Sequence, residues 1–136
     1  MGETALVEAK VADAVKLIQE LDASGERPTM AIWYFYDDAD DWRLLLAGPS
    51  FDALLPKQEA VAYRKLVEAV TSLSLSSLSV SDLKIVESKA PLAQSLRRLV
   101  GTGPNGIIRA QFTNTMLNGI FIKEMIIMRS ASDVSA

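Results

Sequence analysis

The chain of 136 residues contains no cysteine and no histidine. The first absence removes disulfides, thiolate metal sites and thiol nucleophiles, and it fits a reducing compartment. The second removes the common zinc sites, histidine-based triads and imidazole acid–base chemistry. Glycine and proline are sparse, with seven and five residues, so turns must be found at a few marked places. No apolar run approaches the length of a membrane span. The N-terminal MGETALVEAK has an early acid and no apolar block, so it does not read as a signal peptide. Gly2 is followed by Leu6 where a myristoylation motif needs Ser or Thr. A cytoplasmic protein is expected.

What is present is the composition of an ordinary globular domain, 49% hydrophobic and 23% charged. One domain over residues 1–129 is expected, followed by a disordered tail at 130–136. The net charge of −3 argues against non-specific nucleic-acid binding. Its distribution is uneven: residues 1–70 are net acidic and residues 71–136 net basic. The simplest reading is that acidic helices come first.

Apolar spacing predicts a helix over 5–21, stopped at Ser24-Gly25. Met30–Tyr36 and Trp42–Ala47 read as a β-hairpin, and Gly48-Pro49 ends its second strand. A second helix is expected from Pro56 to about Leu73, burying Tyr63, Leu66, Val67, Val70 and Leu73. The stretch TSLSLSSLSVSD reads as a connection whose Leu75, Leu78 and Val80 need cover. LKIVE at 83–87 is a third strand. Ser88 is an expected N-cap and Pro91 a first-turn residue for a third helix, whose apolar face is Leu92, Leu96, Leu99 and Val100. Asn118-Gly119 is the strongest hairpin signal in the chain. A two-residue turn there pairs Leu117 with Ile120, Phe112 with Met125 and Ala110 with Ile127. Strict alternation then puts Met116 and Phe121 on the same, core-facing side as Met125 and Ile127. The order α-β-β-α-β-α-β-β predicts an α+β fold, a single mixed five-stranded sheet with three helices mainly on one face.

Several motifs bear on chemistry. GTGPNG at 101–106 matches G-x-G-x-x-G, but a helix precedes it and a strand follows, the reverse of a dinucleotide site. It reads as a helix stop and turn. Ser81-Asp-Leu-Lys84 matches S-x-x-K but leads into a strand, where positions three apart face opposite ways. Asp37, Asp38, Asp40 and Asp41 could chelate a hard cation. DDADD, however, lacks the glycine and closing acid of a calcium loop, and aspartate is a turn residue in its own right. No cofactor is expected. Glu87-Ser-Lys89 at a strand end resembles half of the active site of the PD-(D/E)xK nucleases. The resemblance implies acids holding Mg²⁺ and a lysine facing the scissile phosphate, with Asp52 as the second acid. The extra helix before this strand and Phe51, where the family has proline, depart from its pattern.

The first hairpin has apolar residues on both faces. Pairing Tyr36 with Trp42 gives one face Ile32, Tyr34 and Leu44, and the other Trp33, Phe35, Arg43 and Leu45. A hairpin with one wet face should alternate polar and apolar residues. Trp33, Phe35, Arg43 and Leu45 are therefore the expected interface of a homodimer or of a complex with another protein.

Finally, WRLLLAGP, AYRKL, LKIV, PLAQSLRRL and IIRAQFTNTMLNGIFIKE, in that order, resemble a widespread family of small bacterial proteins with no assigned function. The resemblance implies a bacterial, cytoplasmic protein and transfers no site residues. The expected function is that of a non-catalytic, self-associating accessory protein. The alternative is a Mg²⁺-dependent nuclease-like protein, or a relative that has lost activity.

Overall fold

A computed structural model describes residues 8–103 and 106–131. Five strands form one mixed sheet: β1 (Met30–Tyr36), β2 (Asp41–Ala47), β3 (Leu83–Ile85), β4 (Ala110–Leu117) and β5 (Ile120–Ser130). Their order across the sheet is β3-β2-β1-β5-β4. All neighbours run antiparallel except β2 and β3, which are parallel. Helices α1 (Glu8–Ala23), α3 (Glu59–Leu73) and α4 (Pro91–Leu99) are joined by a four-residue helix, α2 (Pro49–Asp52), which the sequence pattern did not reveal. The α+β class and the single mixed sheet are as expected. No helix among the described residues is long and apolar enough to cross a membrane.

Two cores lie on opposite sheet faces. The larger joins α1 and α3 to Ala31, Trp33, Phe35, Trp42, Leu44 and Leu46. The smaller joins Ala93 and Leu96 of α4 to Met30, Ile32, Leu45, Met125 and Ile127. This settles the first hairpin. Tyr36 pairs with Asp41 and Phe35 with Trp42, one residue away from the expected register. Asp40 takes a left-handed φ of 51°, which closes the loop over four residues instead of five. Aspartate tolerates that conformation because its short side chain can bond locally. A one-residue slip moves a whole strand face. Trp33 and Phe35 thus share a face with Trp42 and Leu44, not with Arg43 and Leu45.

Helix α1 ends as read. Gly25 takes a φ of 84°, and the Glu26 N–H returns to the Leu21 carbonyl at 2.8 Å. Its one buried acid, Asp13, accepts the N–H groups of Ser77 (2.9 Å) and Leu78 (3.1 Å). That bond pair fastens the serine-rich connection and seats Leu78 in the core. The buried stripe of α3 is Ala62, Leu66 and Ala69, rotated from the expected one, and Val67 is exposed. Small residues face inward where α3 approaches α1. Helix α3 begins at Glu59, so Pro56 lies outside it.

The second hairpin has the expected register throughout, from Ala110–Ile127 to Leu117–Ile120. Asn118 and Gly119 have φ of 49° and 82°, the signs a two-residue turn of this twist requires. Its faces differ from expectation. Asn114 has a φ of 46°, and the burial alternation of β4 changes phase there. Before it Ala110 and Phe112 point to the core; after it Thr115 and Leu117 do. Ile122 joins Met125 and Ile127 in the smaller core, while Met116 and Phe121, read as core residues, are turned outward. Strand β5 continues through Ser130, and Ala131 is buried, so these two residues of the expected tail at 130–136 belong to the fold; residues 132–136 lie outside the described part.

Candidate functional site

The carboxyl ends of parallel strands are where open α/β sheets place ligands, and β2 and β3 are this sheet's one parallel pair. Beyond β2, Gly48-Pro49 turns the chain into α2, with Pro49 in its first turn. Phe51 is driven into the larger core, which leaves its neighbour Asp52 half-buried. Beyond β3, the chain crosses Glu87, Ser88 and Lys89 before Pro91 opens α4. The two segments border a cleft of about 540 Å³ lined by Asp52, Leu55, Pro56, Glu87, Ser88, Lys89, Gln94 and Arg97. The Leu55–Pro56 peptide bond on its wall is cis.

Ser88 is the pivot of the cleft. Its N–H donates to Asp52 Oδ1 at 2.9 Å, and its carbonyl accepts from the Arg97 guanidinium at 2.7 Å. Two charged side chains from two elements thereby hold the backbone of one buried residue on both sides. The Ser88 hydroxyl is buried and has no hydrogen-bond partner among the described residues. Its expected role as an N-cap is not realised: Ala90 occupies that position, and no side chain caps α4. Glu87 and Lys89 approach to 3.9 Å and are largely exposed, a geometry worth well under 1 kcal/mol (~0.5).

The three residues nominated for phosphoryl chemistry, Asp52, Glu87 and Lys89, therefore border one cleft. Ser88, Gln94 and Arg97 were missed as site residues. Gln94 and Arg97 are three apart on α4, which puts them on one side of a helix, and that spacing was the available signal. Among the described residues no three acidic or other metal-ligating side chains converge. Two carboxylates can still hold Mg²⁺, which keeps most of its waters and takes further oxygens from a bound phosphate. The cleft sets Asp52 and Glu87 against Lys89 and Arg97, so it carries no strong net charge.

The aspartate loop forms no such site. Asp37 pairs with Lys123 at 3.1 Å, and Asp41 pairs with Arg43 at 3.0 Å and accepts the Trp42 N–H at 2.9 Å. With Asp40 left-handed, the group closes a turn, and among the described residues it joins no set of three ligands.

The expected interface also needs correction. Trp33 and Phe35 are buried beneath α1 and α3, Leu45 is buried on the opposite face beneath α4, and only Arg43 is half-exposed. The chain's own helices cover the residues nominated for a partner, because the sheet is central and doubly covered at this hairpin. The most exposed large apolar side chains lie at the other hairpin. Met116 and Phe121 face each other across β4 and β5, 65% and 56% exposed. Strand β4 is a sheet edge of eight residues, AQFTNTML, with no charge along it. Edge strands commonly carry Lys, Pro or a bulge that discourages pairing. Here the single interruption is the left-handed Asn114.

No family model, no curated protein and no solved structure matches this chain.

Proposed function

We propose that this protein is a non-catalytic interaction protein that self-associates through the outer end of the β4–β5 hairpin. One observation carries the reading: Met116 and Phe121, a cross-strand apolar pair, are more than half exposed on an uncharged edge strand. Aromatic residues and methionine are enriched where interfaces are most buried. The lack of cysteine and histidine supports a role outside thiol and imidazole chemistry, and the lack of cysteine fits a reducing, cytoplasmic setting. Light scattering on a gel-filtration column, at tens of micromolar, should give a dimer mass. Met116→Lys with Phe121→Asp should give monomers with an unchanged far-UV spectrum, because both side chains are already in water. A monomeric wild type ends this reading.

The second reading is a Mg²⁺-dependent nuclease-like protein, or a relative that has lost activity. Its support is the meeting of Asp52, Glu87 and Lys89 around one cleft. Mg²⁺ would be held by the two carboxylates and would act as a Lewis acid on a phosphate steadied by Lys89 and Arg97. Calorimetric titration with MgCl₂ should show binding that Glu87→Gln weakens at least tenfold. If Mg²⁺ does not bind, or if Glu87→Gln changes neither binding nor cleavage of a DNA duplex, the cleft has another role.

A further inference from the structure

Pairing between β1 and β5 stops at Tyr34–Met125. Beyond that point the strands separate, and a groove of about 370 Å³ opens between the end of the first hairpin and the end of the second. Tyr34, Tyr36, Asp37, Asp38 and Phe121 line it. Lys123 bridges the opening to Asp37. Asp38 is exposed and has no ion pair among the described residues. Aromatic rings beside a carboxylate make a receptor for a cation with an apolar stem, since the ring faces and the carboxylate both attract positive charge. The same aspartates repel phosphate, which sets nucleic acid aside as the occupant.

A complementary surface lies at the end of α4. Arg98 and Leu99 sit beside Leu117 and Asn118 of the β4–β5 turn. Arg98 is exposed with no partner among the described residues, and Leu99 is 42% exposed. One chain thus carries, near the end of one hairpin, an acidic aromatic groove and a basic aliphatic knob. A closed pair of identical subunits needs this kind of self-complementarity, because each contact is made twice.

We infer that the occupant of the groove is a second copy of this chain, with Arg98 entering beside Asp38 and Leu99 covering Phe121. The inference rests on the self-association reading and adds to it the charge pairing that orients the two copies. Each contact pairs opposite charges at a solvent-accessible rim, so the dimer weakens as salt screens them.

Reciprocal charge reversal tests this. Mass should be measured by light scattering between micromolar and hundreds of micromolar concentrations. Asp38→Arg and Arg98→Asp, each alone, should raise the dimer dissociation constant at least tenfold. An equimolar mixture of the two variants should restore the dimer, because both contacts then again join opposite charges. Asp38→Asn and Arg98→Gln should give intermediate losses, and circular dichroism should show every variant folded. A dimer that is broken by Phe121→Asp yet indifferent to both reversals overturns this inference and leaves self-association standing. So does a mixture of folded variants that stays monomeric. A monomeric wild type overturns both.

Discussion

Among the described residues Arg129 is the charged side chain most fully withdrawn from water. Its two terminal nitrogens grip Asp22 at 2.8 and 2.9 Å, and it also donates to the carbonyls of Pro28 and Gly106. One side chain thereby ties the end of α1, the loop into β1, the loop before β4 and the end of β5. A buried ion pair is a poor guide to stability as a pair, but removing one partner strands the other charge. Asp22→Ala should therefore lower the free energy of unfolding by about 3 kcal/mol in urea titrations. Arg129→Met added to it should recover part of that loss. If the double variant is as unstable as the sum of the singles, the pair is not coupled. Tyr34 gives a second residue-scale prediction. Burial, and then the nearby Tyr36, raise its phenol pKa above the ordinary tyrosine value. A raised acid pKa means that the folded state prefers the proton. This contribution is intact below about pH 10 and is lost as the pH rises from the unfolded value through the folded one. Absorbance at 295 nm should show a late-titrating component that Tyr34→Phe removes.

At the scale of elements, what could be read from sequence depended on whether the turn was marked. Asn118-Gly119 announces its own geometry, and the whole register of β4–β5 followed from it. DDADD does not, because a run of aspartates fits loops of four or five residues equally well. The structure takes four, and the hairpin faces reversed for Trp42 through Ala47 relative to the first strand. Asn114 was invisible for a related reason. Nothing in AQFTNTML marks a left-handed residue except the asparagine itself, yet that residue turns Met116 and Phe121 outward. Among the nominated site residues, Asp52, Glu87 and Lys89 came together because each ends or follows a strand of the parallel pair. The interface residues failed because helices cover both faces of the first hairpin, which its strand pattern alone does not show. Asn114→Val tests the device directly. A β-branched residue resists positive φ, and the substitution should cost about 1–2 kcal/mol. Asn114→Gly should be tolerated or mildly stabilising, and the two thermal midpoints should differ accordingly. Equal midpoints would mean that position 114 is not held left-handed in solution.

For the whole molecule the decisive asymmetry is between the two sheet faces. Helices α1 and α3, of 16 and 15 residues, cover one, whereas among the described residues α4, with nine residues, is the one helix on the other. A helix that short is not stable alone and holds its shape through docking, here chiefly through Ala93 and Leu96. The same helix supplies Gln94 and Arg97 to the cleft and Arg98 and Leu99 to the groove-binding surface. A short, docked helix thus borders both the cleft and the proposed contact between copies. Local openings in native proteins are cheapest where few buried contacts resist them. Amide exchange of α4 should accordingly proceed through an opening of lower free energy than that of β1 and β2. If two copies meet through its last turn, association adds to the cost of opening by mass action. Protection of α4 should then rise between about 5 µM and about 500 µM protein. Protection that is the same at both concentrations, in a sample whose mass shows it dimeric at the higher one, would place the dimer contact away from α4.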